Sequence, residues 1–341
     1  MSSTVKEIKE KTGYLKRSDL YTIGVGQAIG SGVLTLIGPA ILLTGQSAWL
    51  AYVAACIWGF MMIAPIPWIT STLKLGGGFY SLVGDMAGKR VAGMYAVGFL
   101  PQTINLATYG VAIGMYANSL WPQINAKWFG IVYGGVAIVA SGVLPLDQVA
   151  GQPLTLVAKN ILNPALFTVF MIGGPVLALS SSINSTISNN CIPVAQSCKD
   201  GWLPKSWAAQ NRRGAYWKLM TFTYLMGILP VLLDFSISDV VNNIMLLASA
   251  LAFLQIYAYF QLPKKHAEAW EKSPMHISNG KYYFLCCLSL FAYICIFINS
   301  CRSLKLPVVI ISLIAIVVCM AYGWFRSVSP DVKMETSVWE D

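Results

Sequence analysis

One stretch of the sequence carries backbone groups that would bind a charged small molecule: the apolar segment 21–42, whose middle reads Gly30-Ser31-Gly32. Glycine weakens a helix, so the segment either packs closely on a neighbouring helix here or opens and exposes its backbone. A helix opened at these residues leaves the N–H groups of Ser31, Gly32 and Val33 without intrahelical partners at the start of its outer half. Those donors, together with the positive end of the half-helix dipole, suit a carboxylate.

The other side of the same break offers hydrogen-bond acceptors. The carbonyl groups of Ala28 and Ile29 end the inner half of the helix and suit an ammonium group or a cation. Such a break would hold both ends of a zwitterion through backbone groups alone, and glycine at its centre lets the ligand approach closely. The alternative is helix packing, because Gly26 and Gly30 form a G-x-x-x-G pair, a common contact surface between membrane helices.

Side chains suited to enzymatic chemistry are scarce. The two histidines, His266 and His276, lie in a polar segment where solvent exposure is expected. The apolar segments contain no nucleophile paired with a base and no metal-ligand cluster, so neither an enzyme nor a cofactor is expected. A membrane enzyme or assembly subunit is an alternative that would require a prosthetic group or a tightly bound partner. The polar residues Gln102, Asn105 and Asn184 lie within apolar segments and would either line a cavity or bond to neighbouring helices.

The composition indicates a membrane protein. Hydrophobic residues make up 56% of the 341 residues and charged residues 11%, whereas soluble domains carry about 25% charged residues. The chain therefore lacks the charge to cover its surface for water. Its net charge of +9 comes from basic residues in short polar segments between apolar runs. This pattern is typical of membrane topology rather than of nucleic-acid binding.

Apolar runs long enough to cross a hydrocarbon core, about 20 residues each, recur along the chain. They predict an all-α polytopic membrane protein with about eight to nine apolar helices, since the short alternating segments of a β-barrel are missing. The predicted organisation is a cytoplasmic segment at 1–19, a single transmembrane helical domain at 20–326 and a cytoplasmic tail at 327–341. The runs are approximately residues 20–44, 48–72, 91–120, 128–145, 163–194, 219–233, 240–262, 282–301 and 306–325.

The distribution of Lys and Arg conflicts with strict alternation of nine spans. Basic residues cluster in the amino-terminal segment, at 74–90, at 199–218, at 264–281 and in the tail, and such clusters are expected on the cytoplasmic side. Three apolar runs separate the second cluster from the third, and an odd number of crossings would put these two on opposite sides. Either the run at 128–145 does not cross the membrane, or an odd number of spans is missing near residues 120–150.

Four motifs, in order, resemble the amino acid–polyamine–organocation family of amino acid permeases. GQAIGSGVLTLIGPAI at 26–41 resembles the signature of the family's first span, and GGGFY at 76–80 resembles its break between spans two and three. SGVLPLDQVAG at 141–151 resembles the end of its seventh span. ALSSSINSTISNNCIPVAQSCKDGWLP at 178–204 resembles its eighth span and the Asp-Gly-x-x-Pro loop that follows. The residues at the loop positions are Asp200, Gly201 and Pro204.

The family resembles the bacterial leucine-transporter fold, in which two inverted five-span repeats pack together and the first and sixth helices are broken at mid-membrane. The resemblance implies a secondary amino acid transporter whose substrate binds at the break formed by residues 28–33. The match passes from the third span directly to the seventh, so spans four to six are expected to be absent and the fold incomplete. Three absent spans are an odd number and would account for the charge conflict.

The resemblance also implies a candidate cation site, because hydroxyls on the eighth span bind sodium in some relatives. The serines that would supply these hydroxyls are Ser181, Ser182 and Ser185. Serines in membrane helices also donate back to their own helix or bridge to a neighbour, which is the alternative for these three. Many relatives use protons instead, so the coupling ion stays open.

These observations lead to one functional hypothesis and one main alternative. We expect a multi-pass protein of the cytoplasmic membrane, with its amino terminus inside, that moves amino acids with a proton or cation or by exchange. Its partners would be the amino acid, a proton or sodium ion and the lipid bilayer, and no nucleic acid. The alternative is an internally shortened permease without transport activity.

Overall fold

A computed structural model describes residues 44, 47–75, 78–120, 123, 125, 177–211, 215–334 and 338–340. Helices dominate these residues, and one two-stranded sheet joins two distant segments. The α-helices are α1 (Ala48–Ile63), α2 (Ile66–Thr72), α3 (Gly78–Ala87), α4 (Lys89–Gln102), α5 (Leu106–Leu120), α6 (Leu177–Lys199), α7 (Trp217–Leu232), α8 (Ile237–Tyr259), α9 (Leu262–Lys265), α10 (Ala267–Lys272), α11 (Asn279–Ser303) and α12 (Leu306–Arg326). The strands are β1 (Leu73–Leu75) and β2 (Val338–Glu340), and short 3-10 helices span Thr103–Asn105 and Lys205–Ala208.

Four helical segments are long and apolar enough to cross a membrane. They are Trp49–Thr72, Ile237–Lys265, Asn279–Ser303 and Leu306–Arg326, with lengths of 24, 29, 25 and 21 residues. Each reaches the length of about 20 residues that a hydrocarbon core requires. The shorter apolar helix α7 occupies the run expected at 219–233. The all-α membrane architecture is therefore confirmed, while the first predicted span and the run at 128–145 lie outside the described residues.

Several helices present large apolar side chains outward. On α1, Phe60 is 73% exposed and Trp49 is 64% exposed, and on α12 Phe325 is 74% exposed and Ile311 is 67% exposed. In water, apolar surface costs about 25 cal/mol for each Å². Lipid chains are as apolar as these side chains and cover them without that cost. The outward faces of α1 and α12 therefore suit a bilayer.

Helices α4 and α12 pack closely because glycines face each other at their contact. A Cβ atom on Gly323 would overlap the backbone carbonyl of Gly93, and one on Gly93 would overlap the carbonyl of Gly323. The ring of Trp202 fills the space beside Gly93. Small residues allow membrane helices to approach in this way, so the two backbones touch directly at this point.

Two predicted spans are interrupted. The run at 48–72 divides into α1 and α2 at Pro65. The run at 91–120 divides into α4 and α5 at the 3-10 turn Thr103–Asn105, just after Pro101. Proline lacks an N–H group and cannot complete the helical ladder. The Thr103 hydroxyl donates to the Leu100 carbonyl oxygen at 2.7 Å and so provides a side-chain partner at the break.

The described helices share one end that carries most of their basic side chains, which we call the basic end. Contacts between elements define it: Lys265 Nζ donates to the Asp85 carbonyl oxygen at 2.8 Å, and the Arg90 guanidinium lies 5.2 Å from the centre of the Trp324 ring. The basic residues here are Lys74, Lys89, Arg90, Lys199, Lys205, Lys218, Lys264, Lys265, Lys272, Lys281, Arg326 and Lys333.

The opposite end carries Arg302 and Lys305, where α11 ends and α12 begins. The pair α4–α5 leaves the basic end after Arg90, and α6 returns to it at Lys199. A hydrogen bond between α3 and the loop after α6 fixes both clusters at the same end. The described helices therefore bring these two basic clusters to one end, as the charge pattern requires.

Candidate functional site

The six residues of the predicted substrate break lie outside the described residues, and the break stays a prediction. They are Ala28, Ile29, Gly30, Ser31, Gly32 and Val33. Among the buried polar residues of the described helices, two groups are candidates for a site. One lies between α5 and α6, and the other lies at the basic end.

A stripe of polar side chains runs along one face of α6. Ser182, Thr186 and Asn190 follow one another at intervals of four residues, which places them on the same side of the helix, and all three are buried. Asn105 lies just before α5, the helix that packs against α6, and Thr108 lies in the first turn of α5 and is also buried. We call these five residues the polar seam.

A pair of amides joins the two sides of the polar seam. Asn190 Nδ2 donates to Asn105 Oδ1 at 2.8 Å, and Asn105 Nδ2 donates to Asn190 Oδ1 at 3.3 Å. A buried amide without a hydrogen-bond partner would cost roughly 2–7 kcal/mol. The two reciprocal hydrogen bonds avoid that cost for both side chains. Asn105, which the sequence left between cavity lining and helix packing, therefore makes packing bonds, and the side chain of Asn184 is outside the described part.

Two hydroxyls of the polar seam have no hydrogen-bond partner within the described part of the chain. They are Ser182 Oγ and Thr108 Oγ1, both of which are buried. Ser197 on the same helix differs, because its Oγ donates to the Pro193 carbonyl oxygen at 2.8 Å. A buried hydroxyl left unpaired costs about 1–3 kcal/mol. Binding a ligand, an ion or water would relieve that cost.

Of the three serines in the candidate cation site, only Ser182 has a described side chain. The backbones of Ser181 and Ser185 lie in α6, and their side chains fall outside the described residues. Sequence reasoning missed Thr186, although its interval of four residues from Ser182 places both on one face. It also missed Thr108, which lies on another helix and gives no local signal.

The second polar group surrounds the carboxylate of Asp200, in the loop after α6. Tyr80 OH donates to Asp200 Oδ2 at 2.5 Å, and Gln196 Nε2 donates to Asp200 Oδ1 at 2.9 Å. Trp202 Nε1 donates in turn to Tyr80 OH at 2.7 Å. Asp200 is 3% exposed, Tyr80 2% and Trp202 0%. The hydrogen bonds therefore replace the water that a carboxylate loses on burial.

Tyr80 is held in its protonated form. Burial first, and then the charge of the Asp200 carboxylate, raises the pKa of Tyr80 above its ordinary value. Tyr80 lies in α3, outside the four helices long enough to span a membrane, and α3 begins within the GGGFY motif. Its hydrogen bond joins that motif to the Asp-Gly-x-x-Pro loop, two motifs that the sequence identified separately.

His266 is partly buried and paired, which corrects the expectation of solvent exposure from the sequence, whereas His276 is exposed as expected. His266 Nε2 lies 2.7 Å from Asp85 Oδ2, and the two side chains are 17% and 23% exposed. His276 Nδ1 lies 2.9 Å from the carbonyl oxygen of Trp270 and its ring meets the Trp270 ring edge-on. These contacts tie the segment between α8 and α11 to itself and to α3, which is a structural role.

A comparison with protein families finds a match for this chain. Residues 128–339, more than half of the sequence, match the family model described as amino acid permease. The matched residues include α6, the Asp200 loop and helices α7 to α12. No curated protein matches the chain.

Proposed function

The chain belongs to the amino acid permease family, and from this premise we propose that it is a secondary transporter that moves an amino acid across the cytoplasmic membrane. Membership of this family indicates a transporter rather than an enzyme. The apolar helices make the chain a multi-pass membrane protein. The substrate is therefore an amino acid, and the lipid bilayer surrounds the protein.

The polar seam is the structural observation that supports transport. Polar groups inside a membrane are expensive, and they commonly mark the path of a substrate or an ion. The seam leaves the hydroxyls of Ser182 and Thr108 unpaired within the described part of the chain. Ser182 lies on α6, the helix whose sequence resembles the family's eighth span. We assign its hydroxyl to a coupling cation, together with those of Ser181 and Ser185.

The substrate itself is assigned to the glycine break in the first predicted span. Its carboxylate would accept hydrogen bonds from the N–H groups of residues 31–33, and its ammonium group would face the carbonyls of residues 28 and 29. Rocking of one helix bundle against another would then expose the break to each side in turn, as in other transporters with discontinuous helices.

The basic end is assigned to the cytoplasm. Lys and Arg near the ends of spans favour the cytoplasmic side, and the basic end carries most of the described ones. The basic amino-terminal segment at 1–19 and the tail at 327–341 would lie on the same side.

The cation assignment is tested by comparing Ser182→Ala with Ser197→Ala in liposomes that take up a labelled amino acid mixture, with and without a sodium gradient. We expect Ser182→Ala to reduce sodium-driven uptake about tenfold, which corresponds to about 1.4 kcal/mol of lost cation binding. Ser197→Ala should leave uptake unchanged, because the Ser197 hydroxyl bonds to its own helix. Sodium-driven uptake that survives in Ser182→Ala would instead assign this hydroxyl to helix packing.

A further inference from the structure

The C-terminal segment after α12 crosses the basic end and packs on it. We call residues 327–334 together with β2 the strap. The backbone N–H of Lys333 donates to the carbonyl oxygen of Asp200 at 2.9 Å. Next to it, Val332 is 3% exposed. The strap is therefore attached to the Asp200 loop both by a backbone hydrogen bond and by a buried apolar side chain.

The Asp200 loop is shaped for this attachment at Gly201. The φ angle of Gly201 is +92°, a conformation that glycine adopts without strain. A Cβ atom at this position would also overlap the backbone carbonyl of Asp331 in the strap. Arg326, the last residue of α12, donates from Nε to the Gly201 carbonyl oxygen at 3.4 Å and pairs with Asp331 at 3.4 Å. Both the local backbone and the docked strap thus require glycine.

The strap also reaches α3 and β1. Met334 covers Gly84, where an added Cβ atom would meet the end of the methionine side chain. β2 pairs with β1 in antiparallel register, with Lys74 opposite Trp339. β1 directly precedes the glycine-rich break at 76–78. The strap thus contacts α3, the loop after α6 and β1 at once.

From these contacts we propose that the strap is a releasable closure of the basic end, which must leave both β1 and the Asp200 loop before substrate passes there. The proposal rests on the proposed transport function. The elements joined by the strap belong to separate helices, and they have to move apart if a path opens between them. The described attachments are separate contacts outside the helices' own hydrogen bonds, so they open without unfolding any helix.

The first test measures whether the strap covers α3, and it does not depend on transport. Gly84→Cys, made in a chain whose native cysteines are replaced, places a thiol beneath Met334. We expect a polar maleimide to label this thiol slowly, and about tenfold faster when Val332→Glu drives a charge out of the buried position. Lys333→Gln is the matched control, because it changes the net charge by the same amount at an exposed neighbour and should not affect the rate.

Equal labelling rates in the two variants would overturn the closure. Met334→Ala provides a second variant if Val332→Glu fails to fold. This substitution removes the side chain over Gly84 and should also raise the labelling rate, while circular dichroism confirms that the helices are intact. An unchanged rate in a folded Met334→Ala protein counts against the strap as well.

The second test asks whether release is needed for transport. Lys74→Cys with Trp339→Cys places two thiols at directly opposed strand positions, where Cα atoms lie about 4.5–5.5 Å apart, within reach of a disulfide. Oxidation should lower the uptake of a labelled amino acid mixture by at least about tenfold, and reduction should restore it. In each single variant, oxidation should leave uptake unchanged. Uptake that continues in fully cross-linked protein overturns the proposal. Absence of uptake by the unmodified chain would refute the transport function, and the labelling test alone would then decide whether the strap is a closure.

Discussion

Asp200 is a carboxylate in a place where a carboxylate is costly, and its neighbours explain its stability. Both of its oxygens accept hydrogen bonds, from Tyr80 and from Gln196. Gln196 lies one helical turn before Asp200, so the end of α6 itself supplies one donor. Tyr80 supplies the other and is oriented by Trp202. Charge-assisted hydrogen bonds of this kind are about twice as strong as neutral ones, which favours one fixed arrangement of the loop.

Substitutions of Asp200 and Tyr80 should each destabilise the protein, and their effects should not be additive. Asp200→Asn turns one acceptor oxygen into an NH₂ group, and Tyr80→Phe removes the donor, so each should lower the free energy of unfolding by about 1–3 kcal/mol. The double variant should lose less than the sum, because both single changes break the same hydrogen bond. Denaturation followed by tryptophan fluorescence measures these losses, with Lys199→Gln as the exposed control. Strictly additive losses would contradict the coupling.

The sequence identified the Asp200 loop but not its partners. Asp200 and Gly201 were recognised as motif positions, yet Tyr80 lies 120 residues away along the chain. Local sequence patterns do not predict a hydrogen bond between residues so far apart along the chain. The positive φ of Gly201 is the part of the motif that glycine does indicate, because other residues rarely adopt it. The interval of four residues between Ser182 and Thr186 also indicates, from the sequence alone, that the two side chains share one face of α6.

Among the elements, the pair α4–α12 is the clearest case of packing decided by single residues. Gly93 and Gly323 bring the two backbones into contact, and Trp202 closes the remaining space beside them. Gly98, further along α4, has the side chains of Leu251 and Met320 against it. Without a hydrophobic driving force between helices in lipid, such close contact is a main source of attraction.

A methyl group at this contact should separate the two helices. In Gly323→Ala the new Cβ would overlap the backbone of Gly93, which cannot yield as a side chain does, and such overpacking costs about 1–3 kcal/mol. Gly59→Ala is the control, because nothing lies within 4 Å of a Cβ there and alanine favours a helix over glycine by about 1 kcal/mol. In detergent, the midpoint temperature of unfolding should be lower than that of the unmodified chain for Gly323→Ala, and equal or higher for Gly59→Ala. Equal midpoints for the two variants would argue against the backbone contact.

Most described elements could be predicted from hydropathy, and their interruptions could not. The runs at 240–262, 282–301 and 306–325 coincide closely with α8, α11 and α12, because length and apolarity decide whether a segment is a membrane helix. The breaks near Pro65 and Pro101 were not assigned, since prolines are also tolerated inside membrane helices. The pairing of β1 with β2 joins two three-residue segments from distant parts of the chain. Neither strand has a pattern long enough to recognise.

At the scale of the whole molecule, charge and topology agree. The distribution of Lys and Arg predicts that the basic clusters lie on one side of the membrane. An odd number of apolar runs between two of these clusters conflicts with that prediction. The described helices bring Arg90 and Lys199 to the same end. Whether spans four to six are absent, as the resemblance implies, is still a prediction. The family match from residue 128 onward supports the assignment of the later helices.

The orientation of the basic end is tested with two exposed lysines at opposite ends. Lys272 has a side chain that is 79% exposed at the basic end, and Lys305 is exposed at the other. We expect an impermeant maleimide to label Lys305→Cys in intact cells and Lys272→Cys only after permeabilisation, because basic ends face the cytoplasm. A chain with its native exposed cysteines replaced is the background for both variants. The reverse labelling order would invert the assigned topology.

We propose that this chain transports an amino acid at the glycine break of its first predicted span. The most direct measurement is uptake of a labelled amino acid mixture into liposomes containing the purified chain, the Gly30→Val variant or the Gly59→Ala control. We expect uptake by the unmodified chain and the control, and none by Gly30→Val, because a branched side chain at the break blocks the approach of the ligand to the backbone. A well-folded chain without uptake would contradict the claim and identify a shortened permease that does not transport, and uptake that persists in Gly30→Val would place the substrate elsewhere.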